Sequence, residues 1–231
     1  MLRCAVLVLV SLVAGSARAQ QTPPPAETAS PSPSAAAKSN GIISMEEPQP
    51  GDYWNYEKRD EITGKIAEDR EIVVTEVTPE NISVRVKIVG ASDELSNVFD
   101  HSWNLLSSTN WRYSPYQGST GIQAPLVVGK IWVFQSSSVS ANGVTWKESG
   151  TSKVVAQETL STKAGTFETF KIEINFSSQN VKDPTRKNET ALQSWYAPMV
   201  DHWVKRTMIV KSDNHLRSND TWELVDYGRK Q

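Results

Sequence analysis

The chain is poor in the residues that usually signal chemistry. One cysteine, Cys4, stands in 231 residues. That excludes a disulfide framework and any cysteine-built zinc site. Histidine is scarce too: His101, His202 and His215 are the full set. Neither H-E-x-x-H nor H-x-H occurs, and no G-x-S-x-G marks a nucleophile elbow. Gly129-Lys130 runs into Ile131 and has no glycine five residues before Gly129, so it is no phosphate loop. A formal net charge of −2 gives no electrostatic case for nucleic acid or an anionic membrane. Beyond Gly15 the chain has no long apolar run and no sustained i, i+3, i+4, i+7 stripe. These absences call for no cofactor and no metal, and the expectation is a protein that is not an enzyme.

What is present begins with an address. Met1-Leu2-Arg3 is a short basic start, Cys4 to Gly15 is an apolar run, and Ala17 and Ala19 are small residues at the spacing a signal peptidase reads. The expected signal is residues 1–19, cleaved between Ala19 and Gln20. The run is too short for a bilayer, which needs about 20 residues. Cys4 stands at the start of the run, where a lipobox would have it at the end, so the expectation is no lipoprotein. The mature chain then has no cysteine, and its address reads as periplasmic.

Residues 20–50 hold Pro, Ala, Ser and Thr, with seven of the chain's twelve prolines and none of its nineteen aromatics. Such a segment cannot bury enough apolar surface to offset its conformational entropy, and it reads as a disordered linker. From Gly51 to the end the pattern is that of strands. Ile82, Val84, Val86 and Ile88 alternate with Ser83, Arg85 and Lys87. Phe170, Ile172, Ile174 and Phe176 alternate with Lys171, Glu173 and Asn175. Weaker strand patterns cover 53–60, 65–78, 97–105, 130–136, 145–158, 190–196, 202–211 and 218–227. Turn signals such as Thr63-Gly64, Asn142-Gly143 and Ala164-Gly165 lie between strands. The expectation for 51–231 is an all-β domain: about ten antiparallel strands in one curled sheet, an open or incomplete barrel.

Eight tryptophans are the unusual feature. Each has a large body to bury and one N–H to place. Trp132 with Phe134, and Trp222 with Leu224, share a face by alternation and read as core. Trp103, Trp111, Tyr113 and Tyr116 are less regular. The stretch 110–118 is loop-like and aromatic, so those four residues are the candidate ligand-facing rim. His101 and His202 each follow an aspartate, Asp100 and Asp201, yet neighbours on a strand point to opposite faces. Both histidines therefore read as loop or strand-end residues.

Several segments, in order, resemble the TapB-like group and neighbouring small exported proteobacterial proteins of unknown function. They are Gly51-Asp52-Tyr53-Trp54-Asn55-Tyr56-Glu57, Val128-Gly129-Lys130-Ile131-Trp132, Lys163-Ala164-Gly165-Thr166-Phe167, Trp195-Tyr196-Ala197-Pro198 and Trp222-Glu223-Leu224-Val225-Asp226-Tyr227. Lys163 departs from the usual proline, and Met199 from a glycine or glutamate. The resemblance implies an antiparallel sheet rolled into an open barrel, and no reaction. By analogy, LolA-like half-barrels of bacterial envelopes hold lipids.

Two functions follow from these readings. The first is a periplasmic binding or chaperone-like module with an apolar ligand, a lipid or acyl chain, in the concave sheet. It requires large apolar residues that line a cavity. The second is an envelope module that docks a protein or a glycan and has a filled core. A glycan-acting hydrolase ranks third, for it needs carboxylates or a histidine and an acid to converge in a cleft.

Overall fold

The computed structural model describes residues 44–230. The expected signal, and the linker up to residue 43, lie outside the described residues. Twelve strands follow one another: β1 (Asp52–Asp60), β2 (Lys65–Val77), β3 (Ile82–Ile88), β4 (Glu94–Phe99), β5 (Leu105–Ser108), β6 (Trp111–Ser114), β7 (Ile131–Ser140), β8 (Thr145–Thr162), β9 (Gly165–Asn180), β10 (Lys187–Ala197), β11 (His202–Ser212) and β12 (His215–Arg229). Each pairs antiparallel with the next, and β1 pairs with β12. The sheet is therefore a closed barrel, where the sequence suggests an open one of about ten strands. Closure leaves no unpaired first or last strand.

Two strands escape the sequence reading for local reasons. Residues 97–105 read as one strand, but Asp100 folds them into a turn. Its carboxylate accepts from the N–H of Ser102 and of Asn104, and from the Asn104 amide. That turn carries no Gly or Pro to announce it. The stretch 110–118 reads as a loop, yet Trp111–Ser114 is β6, paired with the end of β7. Four residues are too few to show a period.

Alternation places the large apolar residues inside. Trp54 and Tyr56 of β1, Ile72 and Val74 of β2, and Ile82, Val84 and Val86 of β3 pack with Val204 and Leu224 in one cluster. Trp132, Phe134, Val154, Ile172, Ile174 and Leu192 form a second. Outward positions carry Glu57, Glu71, Arg85, Lys147, Lys153 and Glu173. Charge wets the outer face at these positions, while β7 exposes Ile131, Val133 and Val139 on the same side. Among the described residues no helix is long and apolar enough to cross a membrane.

The domain starts earlier than its aromatics do. Met45 is fully buried in the first cluster, and its N–H bonds to the Met199 carbonyl at 2.8 Å. Residues 44–50, read from composition as the end of the linker, thus belong to the packed body. At the other side of the same region the β8–β9 hairpin overshoots the barrel. Its turn at Lys163-Ala164 reaches β12, with Ala164 N–H on the Leu224 carbonyl and Lys163 Nζ 2.7 Å from Glu57. Tyr196-Ala197-Pro198 ends β10 as the missing donor of Pro198 requires.

Gly150 on β8 faces inward between the β9 backbone and the Phe134 ring. A Cβ there would clash with Phe176 Cβ and lie 2.6 Å from the Asn175 carbonyl oxygen and 2.7 Å from Phe134 Cζ. Gly150→Ala is expected to destabilise the barrel by about 1–3 kcal/mol, read as a lower urea midpoint with an unchanged denaturant slope. An unchanged midpoint would show that the β9 backbone at Asn175 and Phe176 gives way.

Candidate functional site

Read from one end of the barrel to the other, the inward series of most strands changes character. On β7 it runs Trp132, Phe134, Ser136, Ser138, Ser140. On β8, traced the same way, it runs Val154, Ser152, Gly150, Glu148, Trp146. On β9 it runs Ile172, Ile174, Phe176, Ser178, Asn180. Across the lumen β1 passes from Trp54 and Tyr56 to Lys58, β2 from Ile72 to Arg70 and Glu68, and β12 from Leu224 to Trp222 and Asp220. One end is a solid apolar floor; the other is a polar mouth.

Solvent reaches the mouth. Trp54, Tyr56 and Leu224 at the floor are at most 1% exposed. The side chains of Lys58 and Arg70, which also face inward, are 23% and 28% exposed. Lys58 pairs with Asp220 at 3.4 Å and Arg70 with Glu68 at 2.6 Å. Inward charge is tolerated because it is paired and wet.

The β6–β8 wall of the mouth is aromatic. Trp111 lies opposite Ser140, Tyr113 opposite Ser138, and Ser138 opposite Trp146. A row of serines thus runs between indole and phenol rings, with Ser136 and Ser138 buried and Ser140 half-buried at its outer end. The centroids of Trp111 and Tyr113 are 6.5 Å apart. Ser136 donates to Glu148 at 3.0 Å. Burial raises the Glu148 pKa against that hydrogen bond, and burial likewise raises the Tyr113 hydroxyl. Above them a depression of about 520 Å³ is lined by Trp111, Ser140, Val144, Trp146 and Arg186.

The floor holds the buried titratable groups. His202 is 4% exposed and stacks on Trp54 at 4.7 Å, with Trp103 edge-on at the same distance. The Tyr56 hydroxyl lies 2.6 Å from both His202 Nδ1 and the Trp203 carbonyl. A carbonyl can only accept, so the hydroxyl donates to it and accepts from His202 Nδ1–H. Burial, and then the Arg206 charge, hold the His202 pKa well below its usual value. Arg206 lies over the Trp203 ring at 4.7 Å, and burial lowers it to about 10. Beside this group Tyr196 donates to Asp201, whose pKa burial raises to about 6. Enclosed on several sides, His202 ties β1 to β11.

The four rim candidates separate. Trp111 and Tyr113 sit together in the mouth. Tyr116 is 73% exposed on the loop after β6, its hydroxyl 3.1 Å from Ser137. Trp103 belongs to the opposite end, at a φ of 59°, packed on Trp54 and Phe99. It is therefore a floor residue and no part of a rim at the mouth. His101 is exposed, with Nε2 2.8 Å from the Thr78 carbonyl. His202 is a strand-end residue as expected, though a buried one. Trp222, read as core, is half-buried and packs against the first cluster at the edge of the mouth, with Lys58 Nζ 5.0 Å from its ring. Trp146, Glu148 and Arg186 were missed. Their signal was faint: the Ser136-Ser137-Ser138 run that continues the Trp132, Phe134 alternation.

No family model matches the chain, and no curated protein matches it. Among solved structures, a presumed exported protein with a YmcC-like fold from Bacteroides fragilis NCTC 9343 aligns at TM-score 0.53 and 12% identity, over 81% of this chain and 99% of that one. The fold is YmcC-like. A presumed lipoprotein from Parabacteroides distasonis ATCC 8503 aligns at TM-score 0.49 and 13% identity, over 80% and 99% of the two chains. The hypothetical lipoprotein YmcC from Escherichia coli K12 aligns at 0.47 and 11%, over 78% and 86%.

The floor groups have opposite pH signatures. His202 is depressed, so the unfolded chain gains a proton first as pH falls below about 6.5 and stability drops. Asp201 is raised, so the folded chain keeps its proton longer, and stability drops as pH rises from about 4 to about 6. Asp201→Asn keeps an acceptor for Tyr196 and suits the left-handed φ of 44°. It is expected to raise the urea midpoint at pH 7.5 and to leave it nearly unchanged at pH 4. His202→Gln is expected to lower stability at pH 7.5 and to flatten its fall toward pH 5. Equal effects of Asp201→Asn at both pH values would contradict the assignment.

Proposed function

We propose that the chain is a non-catalytic binding protein of the bacterial envelope, exported by a signal cleaved after Ala19, and that its barrel mouth takes a saccharide. The observation that carries this is the inward gradient from apolar floor to aromatic and hydroxyl-lined mouth. A sugar ring offers a C–H face that lies flat on an indole and hydroxyls that exchange hydrogen bonds with serines and carboxylates. Trp111 and Trp146 present the flat faces on one wall, and Ser140, Asn142 and Arg186 supply polar groups beside them.

The alternative ligand, a lipid or acyl chain, needs large apolar side chains around an empty space. The floor residues instead pack on one another in two filled clusters. A mouth lined by Lys58, Glu68, Arg70 and Asp220 would also oppose the entry of a hydrocarbon chain. The TapB-like resemblance supports the envelope setting and rests on the sequence motifs alone, since none of the structural neighbours carries that name. The position of Cys4 supports a cleaved signal over lipid attachment.

The full mature protein, exported in a Gram-negative host and purified without detergent, is expected to show its bare mass by native mass spectrometry and to bind saccharides on a glycan array. Trp146→Ala is expected to keep the unfolding midpoint within error and to weaken array binding at least about tenfold. A lipid adduct that leaves on denaturation would replace this reading with the apolar one.

A further inference from the structure

The mouth has a second depression beside the aromatic one. It measures about 570 Å³ and is lined by Trp146, Arg186, Lys187, Asn188, Asp213 and Arg217. Trp146 and Arg186 line both depressions, so the two adjoin at that pair. Three of the second depression's residues are cationic and one is acidic. Lys187 is paired with Glu189 at 3.1 Å. Among the described residues neither Arg186 nor Arg217 makes an ion pair, and both are exposed.

Arg186 is also held in place. The turn before it is built on Asn180, whose side-chain oxygen accepts from the N–H of Lys182 and of Asp183. Asn180 N–H bonds to the Arg186 carbonyl, and Arg186 N–H to the Asp183 carbonyl. The Asp183 carboxylate is turned to Thr185, which donates its N–H and hydroxyl. The guanidinium lies 5.6 Å from the Trp146 ring centroid. An unpaired planar fork carried on a braced turn suits a carboxylate, a sulfate or a phosphate.

We propose that the ligand is an acidic saccharide, its ring on Trp111 and Trp146 and its anionic group on Arg186 and Arg217. This rests on the saccharide reading above and adds the charge. Charge-assisted hydrogen bonds from two unpaired guanidinium groups offset their lost hydration only when the sugar carries an anion, which selects the charged sugar over its neutral counterpart. The same attraction weakens with salt.

The test is a glycan array that carries neutral, uronate-bearing, sulfated and phosphorylated saccharides, probed with the full mature protein at low and at 0.5 M salt. The expected result is binding confined to acidic glycans and weakened by salt. The double variant Arg186→Gln/Arg217→Gln is expected to lose about tenfold or more on those glycans, while Lys153→Gln, on the outer wall, loses nothing. Binding to neutral and acidic glycans alike, or an unaffected double variant, would overturn the charge assignment and leave the saccharide reading standing. Binding to none would overturn both.

Discussion

The ladder between β1 and β12 runs from Asp52 opposite Arg229 to Asp60 opposite Asp220 and turns a meander into a ring. A ring has an inside at every strand, so a single alternation decides for each residue whether it meets the lumen or the solvent. The Lys163 contact with Glu57, the Met45 anchor and the stack of Trp54 on His202 all reinforce the seam or its neighbours. Without closure β1 and β12 would be edges, and Tyr56 would lose the wall it packs on.

The ring is then used unevenly. The sequence packs one end of the ring with apolar side chains. Trp54, Tyr56, Phe134 and Leu224 close the floor at near-zero exposure. Buried polar groups there are few, and the central ones are joined: Tyr56 to His202 and to the Trp203 carbonyl, Tyr196 to Asp201. Toward the mouth the same strands carry serine, glutamate, lysine and arginine on the inward face. Stability is thereby assigned to the floor, and the mouth is free to vary in chemistry.

Much of the architecture was legible. Period-two patterns in 82–88 and 170–176 mark strands because one face is apolar and the other charged. Pro198 and Ala164-Gly165 mark a strand end and a turn because one lacks a donor and the other bends without strain. The Asp100 turn and β6 were not legible, since one relies on a side-chain carboxylate and the other is only four residues long. Within the candidate site, aromaticity singled out Trp111 and Tyr113, which lie side by side on β6. It also drew in Trp103, because irregular spacing looks the same in a mouth loop and in a floor turn.

By itself the sequence determined the class of the fold, the direction of its strands, the signal-like start and the lack of familiar catalytic motifs. Each of these is a local matter of residue type and spacing. Tertiary structure decided that the sheet closes, that Trp146 and Trp111 share a wall, and that His202 is buried. Those depend on pairings between residues far apart in the chain, such as Tyr56 with His202 across 146 positions. No local pattern encodes which strand meets which, and the lumen exists only once the last strand has found the first.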